Sequence, residues 1–92
     1  MVLTVTGEID METVEHLRAV LWQALAAPGG AEIVVDFAGV TFCDATGVQA
    51  LADAHAQARA NGVRLRLINL RRPVRRVLQI TGMLEPLTEG DH

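Results

Sequence analysis

The residue best suited to nucleophilic chemistry in this chain is its single cysteine, Cys43, which Asp44 follows directly. A cysteine nucleophile reacts as the thiolate, and it needs a neighbouring base or positive charge to lower its pKa. No such group lies close in sequence, and the carboxylate of Asp44 disfavours the thiolate. Because Val40 and Phe42 are apolar neighbours, we predict a buried, unreactive thiol at position 43.

The other usual centres of chemistry are missing from the sequence. The three histidines, His16, His55 and His92, form no pair with metal-ligand spacing. Gly39 and Gly47 are too far apart for a phosphate-binding loop, and the chain contains no lysine. We therefore expect no catalytic residue, no metal and no cofactor, and we expect that the protein is not an enzyme.

The segment Asp44-Ala45-Thr46-Gly47 stands where a helix is predicted to begin. Exposed amides and the helix dipole make such an end favourable for negative charge. From the residues alone, a helix cap is the preferred interpretation, with Asp44 or Thr46 holding the amides. Gly47 would let the backbone turn tightly against a sheet.

The elements that would position this turn alternate along the chain. An alternating strand is predicted over Leu3–Thr6, and a helix capped by Asp10 follows it. The unbroken apolar run in Glu32–Phe37 is typical of a strand covered on both faces.

The rest of the chain continues the alternation. The predicted segments are a connection over Ala38–Asp44, a helix over Thr46–Ala60, a strand over Val63–Ile68, a helix from Pro73 to Gly82, and a last strand over Met83–Leu87. Strands that alternate with helices over short connections predict an α/β fold with right-handed parallel crossovers.

Three motifs, in this order and spacing, resemble the STAS domain of anti-sigma-factor antagonists. They are Thr6-Gly7-Glu8-Ile9-Asp10, the stretch from Val35 to Val48, and Gly82-Met83-Leu84. The resemblance runs from Leu3 to Leu87. It implies a mixed, mainly parallel sheet of four to five strands with about three helices largely on one side, and the family's first strand is apparently missing here.

The resemblance also implies a switch position. In the family, the residue after the motif's aspartate is typically a serine that the anti-sigma factor phosphorylates, and Ala45 stands there in this chain. Alanine has no hydroxyl, so this position cannot accept phosphate. Thr46 is a weaker acceptor candidate, and its preferred interpretation is a cap or a core-facing hydroxyl.

The function that the resemblance implies is a non-catalytic regulatory module that binds a serine-kinase-type anti-sigma factor. Without the acceptor serine, it would stay in the unphosphorylated-like state. The expected partner-binding residues are Asp44, Ala45, Thr46, Gly47, Gln49, Asp53 and Ala56. Two alternatives remain open: a STAS subunit of an ABC-type lipid transporter, or an oligomerising scaffold subunit. A homodimer is also compatible with the missing strand, because it would cover an open sheet edge.

Length, composition and charge limit the number of domains and the classes of function that remain possible. The 92 residues are 50% hydrophobic and carry a net charge of −3, which predicts one domain over 1–87 with a polar tail over 88–92. The acidic balance argues against a nucleic-acid binder, although Arg71, Arg72, Arg75 and Arg76 form a local basic cluster. No apolar run approaches the roughly 20 residues of a membrane span, so we expect no direct membrane insertion and a cytoplasmic location.

The predicted core stripe of the first helix consists of Val14, Leu17, Leu21, Ala24 and Leu25. Outside this stripe, two large side chains share one face. Met11 and Trp22 fall close together on a helical wheel, beside Arg18. Partial burial at the periphery is the preferred interpretation, and a partner contact is the alternative.

Overall fold

The computed structural model describes residues 1–27 and 32–88. Within them the chain alternates strand and helix before closing with two helices. The elements are β1 (Val2–Ile9), α1 (Val14–Ala26), β2 (Glu32–Cys43), α2 (Ala45–Ala60), β3 (Arg64–Ile68), α3 (Arg72–Ile80) and α4 (Leu84–Thr88). The predicted α/β fold is confirmed.

The sheet has the order β1-β2-β3, and both of its strand pairs are parallel. Side chains on its core face, among them Ile33, Val35 and Leu67, join buried residues from all four helices in a single cluster. Val34 points to the opposite face and lies outside that cluster. On this opposite face, Arg66 donates from Nε to Glu32 Oε2 at 3.1 Å.

The described residues hold three strands, so the expected count of four to five is wrong for this part of the chain. The predicted last strand, Met83–Leu87, is instead α4. Gly82, at a φ of +76°, turns the chain, and the Met83 N–H returns to the Leu78 carbonyl at 2.9 Å. The apolar residues Met83, Leu84 and Leu87 have helical spacing, and Leu87 is fully buried.

The strand β2 is longer than expected, because the predicted connection Ala38–Asp44 is strand as far as Cys43. The register between β1 and β2 shifts twice, first between Thr4 and Thr6 and then between Gly7 and Glu8. Both shifts add a residue to β2, and pairing resumes after each one. Val40 and Cys43 are consequently buried parts of the sheet.

Helix boundaries differ from the prediction at two places. α1 begins at Val14 rather than just after Asp10, because Asp10 Oδ1 holds a turn by accepting from the N–H groups of Glu12 and Thr13. At the other end of the chain, Thr88 belongs to α4 and donates its hydroxyl to the Leu84 carbonyl. The rest of the predicted tail, 89–92, lies outside the described residues, and the division at 87 stays a prediction.

Candidate functional site

The turn at Asp44–Gly47 lies where β2 ends and α2 begins, next to the end of β1. Asp44 is the N-cap residue, with extended backbone at φ −99° and ψ −171°. Its Oδ1 accepts from the Thr46 N–H at 3.0 Å, from the Gly47 N–H at 3.4 Å and from the Thr46 hydroxyl at 2.5 Å. The Asp44 N–H donates to the Ile9 carbonyl at 3.1 Å, which ties the turn to β1. This is the cap that the sequence predicts.

The charge of the Asp44 carboxylate is stabilised by these donors. Its pKa is lowered from the ordinary 3.8, chiefly by the hydrogen bond from the Thr46 hydroxyl and further by the N–H groups of Gly47 and Thr46. The first turn of α2 therefore already holds a negative charge from the chain itself. The Thr46 hydroxyl is engaged in that cap, and its candidacy as a phosphate acceptor stays a prediction.

Gly47 is a buried residue at a point of very close packing. A Cβ at this position would lie 2.6 Å from Cys43 Sγ and 2.6 Å from Ile9 Cγ2. Real Cβ atoms do not approach other heavy atoms so closely, so any larger residue would force the buried side chains of Cys43 and Ile9, or the strand ends that carry them, to move. The tight approach expected from the sequence is present, and its cause is contact with these two side chains.

Cys43 itself is buried at 2% exposure, with its thiol 3.6 Å from the Asp44 carbonyl oxygen. Burial, and to a smaller extent the neighbouring charge of Asp44, raises the pKa of the thiol to about 11. A thiol with such a pKa is protonated at neutral pH, in agreement with the predicted unreactive cysteine.

Ala45, the first residue of α2, is exposed, whereas Asp44 and Thr46 on either side of it are half-buried. The site thus presents a small, neutral side chain flanked by a satisfied carboxylate. No hydroxyl is available at this position.

The outer face of α2 continues from this turn and carries the other predicted contact residues. Gln49 and Ala56 are exposed and Asp53 is half-buried. Gln49 Nε2 donates to Asp53 Oδ1 at 2.8 Å, and Arg18 Nη1 of α1 donates to Asp53 Oδ2 at 3.2 Å. These contacts lower the pKa of Asp53, the amide of Gln49 having the largest effect and Arg18 the next.

Arg18 was not predicted as part of this surface. Its role depends on how α1 packs against α2, which residue spacing within either helix does not reveal. The predicted pairing of Met11 with Trp22 on one helix face is wrong, because Met11 precedes α1. Met11 is 74% exposed and Trp22 is 44% exposed, and Trp22 borders a shallow depression with Glu15, Arg18 and Ala19.

The described residues contain neither a metal-binding cluster nor a membrane-spanning helix. No group of three or more His, Cys, Asp or Glu side chains is placed to hold a metal ion. In the same ranges, no helix combines the length and the apolar character needed to cross a membrane.

Comparison with known families agrees with this geometry. A family model described as "Mlab, STAS domain" matches residues 1–89, nearly the whole chain. The chain belongs to the STAS domain family. This family is mainly regulatory rather than catalytic.

Solved structures with this STAS fold include an anti-sigma factor antagonist in two states. The unphosphorylated form of SpoIIAA superposes with a TM-score of 0.79 at 29% identity, over 95% of this chain and 75% of that one. The phosphorylated form of SpoIIAA, a cell fate determinant of Bacillus, gives a TM-score of 0.71 at 29% identity, over 95% and 78% of the two chains.

A third STAS structure comes from a different setting. A sulfate transporter family protein from Wolinella succinogenes superposes with a TM-score of 0.79 over 96% of this chain and 70% of that one. Its identity of 22% bears on the fold alone.

Proposed function

We propose that this STAS domain is a regulatory protein-binding module of the anti-sigma-factor-antagonist type, and that it acts without catalysis. Its partner would be an anti-sigma factor of the serine-kinase type. Because Ala45 replaces the acceptor serine, the module would remain in the unphosphorylated-like state and would bind its partner constitutively. Among the solved relatives above, the two at 29% identity are forms of an anti-sigma factor antagonist, which supports this choice.

The observation that carries the proposal is the exposed methyl group of Ala45 at the start of α2. A phosphoserine at this place would add roughly −1.5 to −2 charges next to the Asp44 carboxylate, which is itself negatively charged at neutral pH. Such a charge would repel a partner surface that fits the neutral form. Alanine holds the site in that neutral form at all times.

The proposed contact surface extends from the turn along α2. Ala45, Gln49 and Ala56 are exposed on its outer face, and the bridge from Asp53 to Arg18 joins that face to α1. Gln49 and Asp53 are already oriented by their mutual hydrogen bond. Less side-chain freedom is therefore lost when a partner binds.

The sharpest test separates binding from folding at residue 45. Ala45→Asp adds a carboxylate at a helix N-terminus, where the dipole tolerates negative charge, so unfolding free energy should change by less than about 1 kcal/mol. Binding should weaken by about 2–4 kcal/mol, or roughly 30- to 1,000-fold, because the added charge loses water without gaining a partner. Calorimetric titration against the anti-sigma factor, beside a thermal melt, measures both quantities.

Ala60→Asp is the matched control, since it makes the same change at an exposed alanine at the opposite end of α2. It should bind like the parent. Equal binding by Ala45→Asp and the parent would place the docking surface elsewhere.

The missing switch has its own test. Incubated with ATP and the kinase partner, the parent should take up no phosphate at Ala45 and little elsewhere, and Ala45→Ser should become phosphorylated and then lose affinity. Phosphopeptide mass spectrometry gives the position of any phosphate. Stoichiometric phosphate on Thr46 of the parent would show that the switch has moved by one residue rather than disappeared.

In the transporter-subunit alternative, the chain has the same fold but binds an ABC-type lipid transporter instead of an anti-sigma factor. The sulfate transporter family structure shows that the fold occurs in a transporter setting, but its 22% identity supports nothing finer. Affinity purification from the native cell distinguishes the two: a kinase-like protein supports the first proposal, and an ABC-type ATPase would replace it. Recovery of the chain bound only to itself would favour the scaffold alternative.

A further inference from the structure

Helix α3 presents a row of arginines along its exposed side. Residues three and four apart lie on one side of a helix. On α3 such a set is exposed, and we call it the α3 stripe; it consists of Arg72, Arg75, Arg76, Gln79 and Ile80. The opposite side of the helix, with Val74 and Leu78, is buried. The α3 stripe therefore combines three positive charges with an apolar end and contains no acid.

The three arginines of the α3 stripe have no side-chain partner among residues 1–27 and 32–88. The ion pairs in these ranges belong to Arg18 and Arg66. The neighbouring Arg71 donates from Nε to the Ala38 carbonyl, so the fold itself uses this fourth arginine of the basic cluster. The described part of the fold makes no such use of the other three.

The position of these charges weakens the helix that carries them. Arg72 lies three residues before Arg75 and four before Arg76, where like charges repel each other on a helix surface. The row begins at the N-terminal end, where the helix dipole disfavours positive charge, and the first turn contains no acid. A negatively charged partner would relieve the repulsion and offset the dipole. Charge complementarity therefore indicates an anionic occupant.

A shallow groove of about 460 Å³ adjoins the stripe and indicates which kind of anion fits there. Its lining includes Arg75 of the stripe together with Leu84 and Glu85 of α4. The carboxylate of Glu85 would repel the dense phosphates of a nucleic acid or an anionic bilayer. Leu84 is half-buried and Ile80 of the stripe is 76% exposed, so both offer apolar contact. These features suit a protein segment that combines carboxylates with an apolar side chain.

We propose that the α3 stripe binds an acidic segment of a partner protein, with its arginines on carboxylates and Ile80 against an apolar side chain. Arginine suits this role because its planar guanidinium can donate two parallel hydrogen bonds to one carboxylate. The stripe belongs to a different helix from the Asp44–Gly47 turn, so this contact does not depend on the function proposed above.

The test titrates labelled synthetic peptides with the full 92-residue chain and follows fluorescence anisotropy at low salt. One peptide carries three glutamates and a leucine at the spacing of the α3 stripe, and its control carries glutamine in place of each glutamate. The parent should bind the acidic peptide roughly tenfold more tightly than the control peptide, and added salt should weaken that binding. Single-stranded DNA and vesicles of phosphatidylcholine with phosphatidylglycerol should compete poorly with the acidic peptide.

Paired substitutions locate the binding on the chain. Arg75→Gln with Arg76→Gln removes two charges of the stripe and should weaken binding of the acidic peptide roughly tenfold. Arg59→Gln with Arg64→Gln is the matched control, because it removes the same charge from exposed arginines outside α3, and it should bind like the parent. Arg75→Lys with Arg76→Lys keeps the charge without the planar fork and should give an intermediate affinity. Ala45→Asp should bind the peptide like the parent, which separates this proposal from the one for α2.

Three outcomes would overturn the proposal, once circular dichroism and a thermal melt have verified that each variant is folded. The first is an affinity for the acidic peptide that is absent in the parent or unchanged in the variant lacking Arg75 and Arg76. The second is tighter binding of the DNA or the vesicles, which would assign the stripe to phosphate groups. The third is a dimer of the parent, seen by light scattering at low salt and lost in the same variant, which would assign the stripe to a second copy of the chain.

Discussion

Helices α2 and α3, each of which follows a strand of the sheet, begin in opposite ways. At α2, the chain supplies its own negative charge, since Asp44 accepts from two backbone N–H groups and a hydroxyl. At α3, the N-cap residue is Arg71, which makes no side-chain cap hydrogen bond, and the first turn carries Arg72 and Arg75. Arg71 instead donates from Nε to the Ala38 carbonyl at 2.6 Å.

This difference indicates which of the two helix starts is held in place by contacts within the chain. The start of α2 is satisfied within the chain and packed against Cys43 and Ile9, so its outward surface is shaped by the fold itself. The start of α3 is held by Pro73 and by one contact to β2, and its charges oppose the helix dipole. A surface that binds a partner without rearranging is therefore better located at the start of α2 than at the start of α3.

The largest effect should come from breaking the packing at α2. Gly47→Ala places a Cβ 2.6 Å from two buried atoms, and we expect a loss of about 1–3 kcal/mol in unfolding free energy by urea denaturation. Cys43→Ala in the same background removes one of the clashing atoms and should recover part of that loss. Undiminished stability in Gly47→Ala alone would contradict the tight packing described for this turn.

A smaller effect, with a defined pH dependence, should follow from removing the charge of the cap. The folded-state pKa of Asp44 is lowered from 3.8, so its ionised form stabilises the fold above that value, and this contribution disappears as the pH falls through the lowered pKa. Asp44→Asn should lower the Tm at neutral pH. Thermal melts at stepwise lower pH should show the two proteins converging below pH 3.8, and a constant difference would exclude the charge as the cause.

The smallest effect should have the opposite sign and lies at α3. Arg72→Glu places an acid in the first turn of an uncapped helix and reduces repulsion among neighbouring arginines, and we expect a gain of about 0.3–1 kcal/mol. The gain should shrink in high salt, because exposed charges are screened. If Arg72→Glu instead lowers the stability, the arginines of α3 stabilise the fold through packing contacts. The starts of α2 and α3 would then differ in packing as well as in charge.

The sequence predicted the α2 turn more accurately than its surroundings, for a physical reason. The Asp44 cap and the close approach at Gly47 are local properties of a few consecutive residues. The extension of β2 to Cys43 was missed, because it depends on pairing with β1 across two register shifts. A strand that pairs irregularly shows no clean alternation in its own residues.

The prediction of a strand over Met83–Leu87 was wrong because the spacing of its apolar residues fits both a strand and a helix. In Met83–Leu87 the apolar side chains satisfy a strand or a single helical turn, and contact of Leu87 with the core favours the turn. Similarly, Arg18 joins the predicted contact surface only because α1 packs beside α2 and brings its guanidinium to Asp53. Such contacts between elements require the tertiary arrangement.

The two extra residues in β2 have a consequence for how this domain tolerates insertions and deletions. The offset between paired residues grows from 32 at Val2 and Val34 to 34 at Ile9 and Cys43. Because the sheet already absorbs each extra residue as a local irregularity, loss of one residue near Ala38 would restore regular pairing there and leave the start of α2 in place. A deletion at Ile33, where pairing is regular, would instead move alternate side chains to the wrong face. Length variation among related chains should therefore concentrate in the second half of β2.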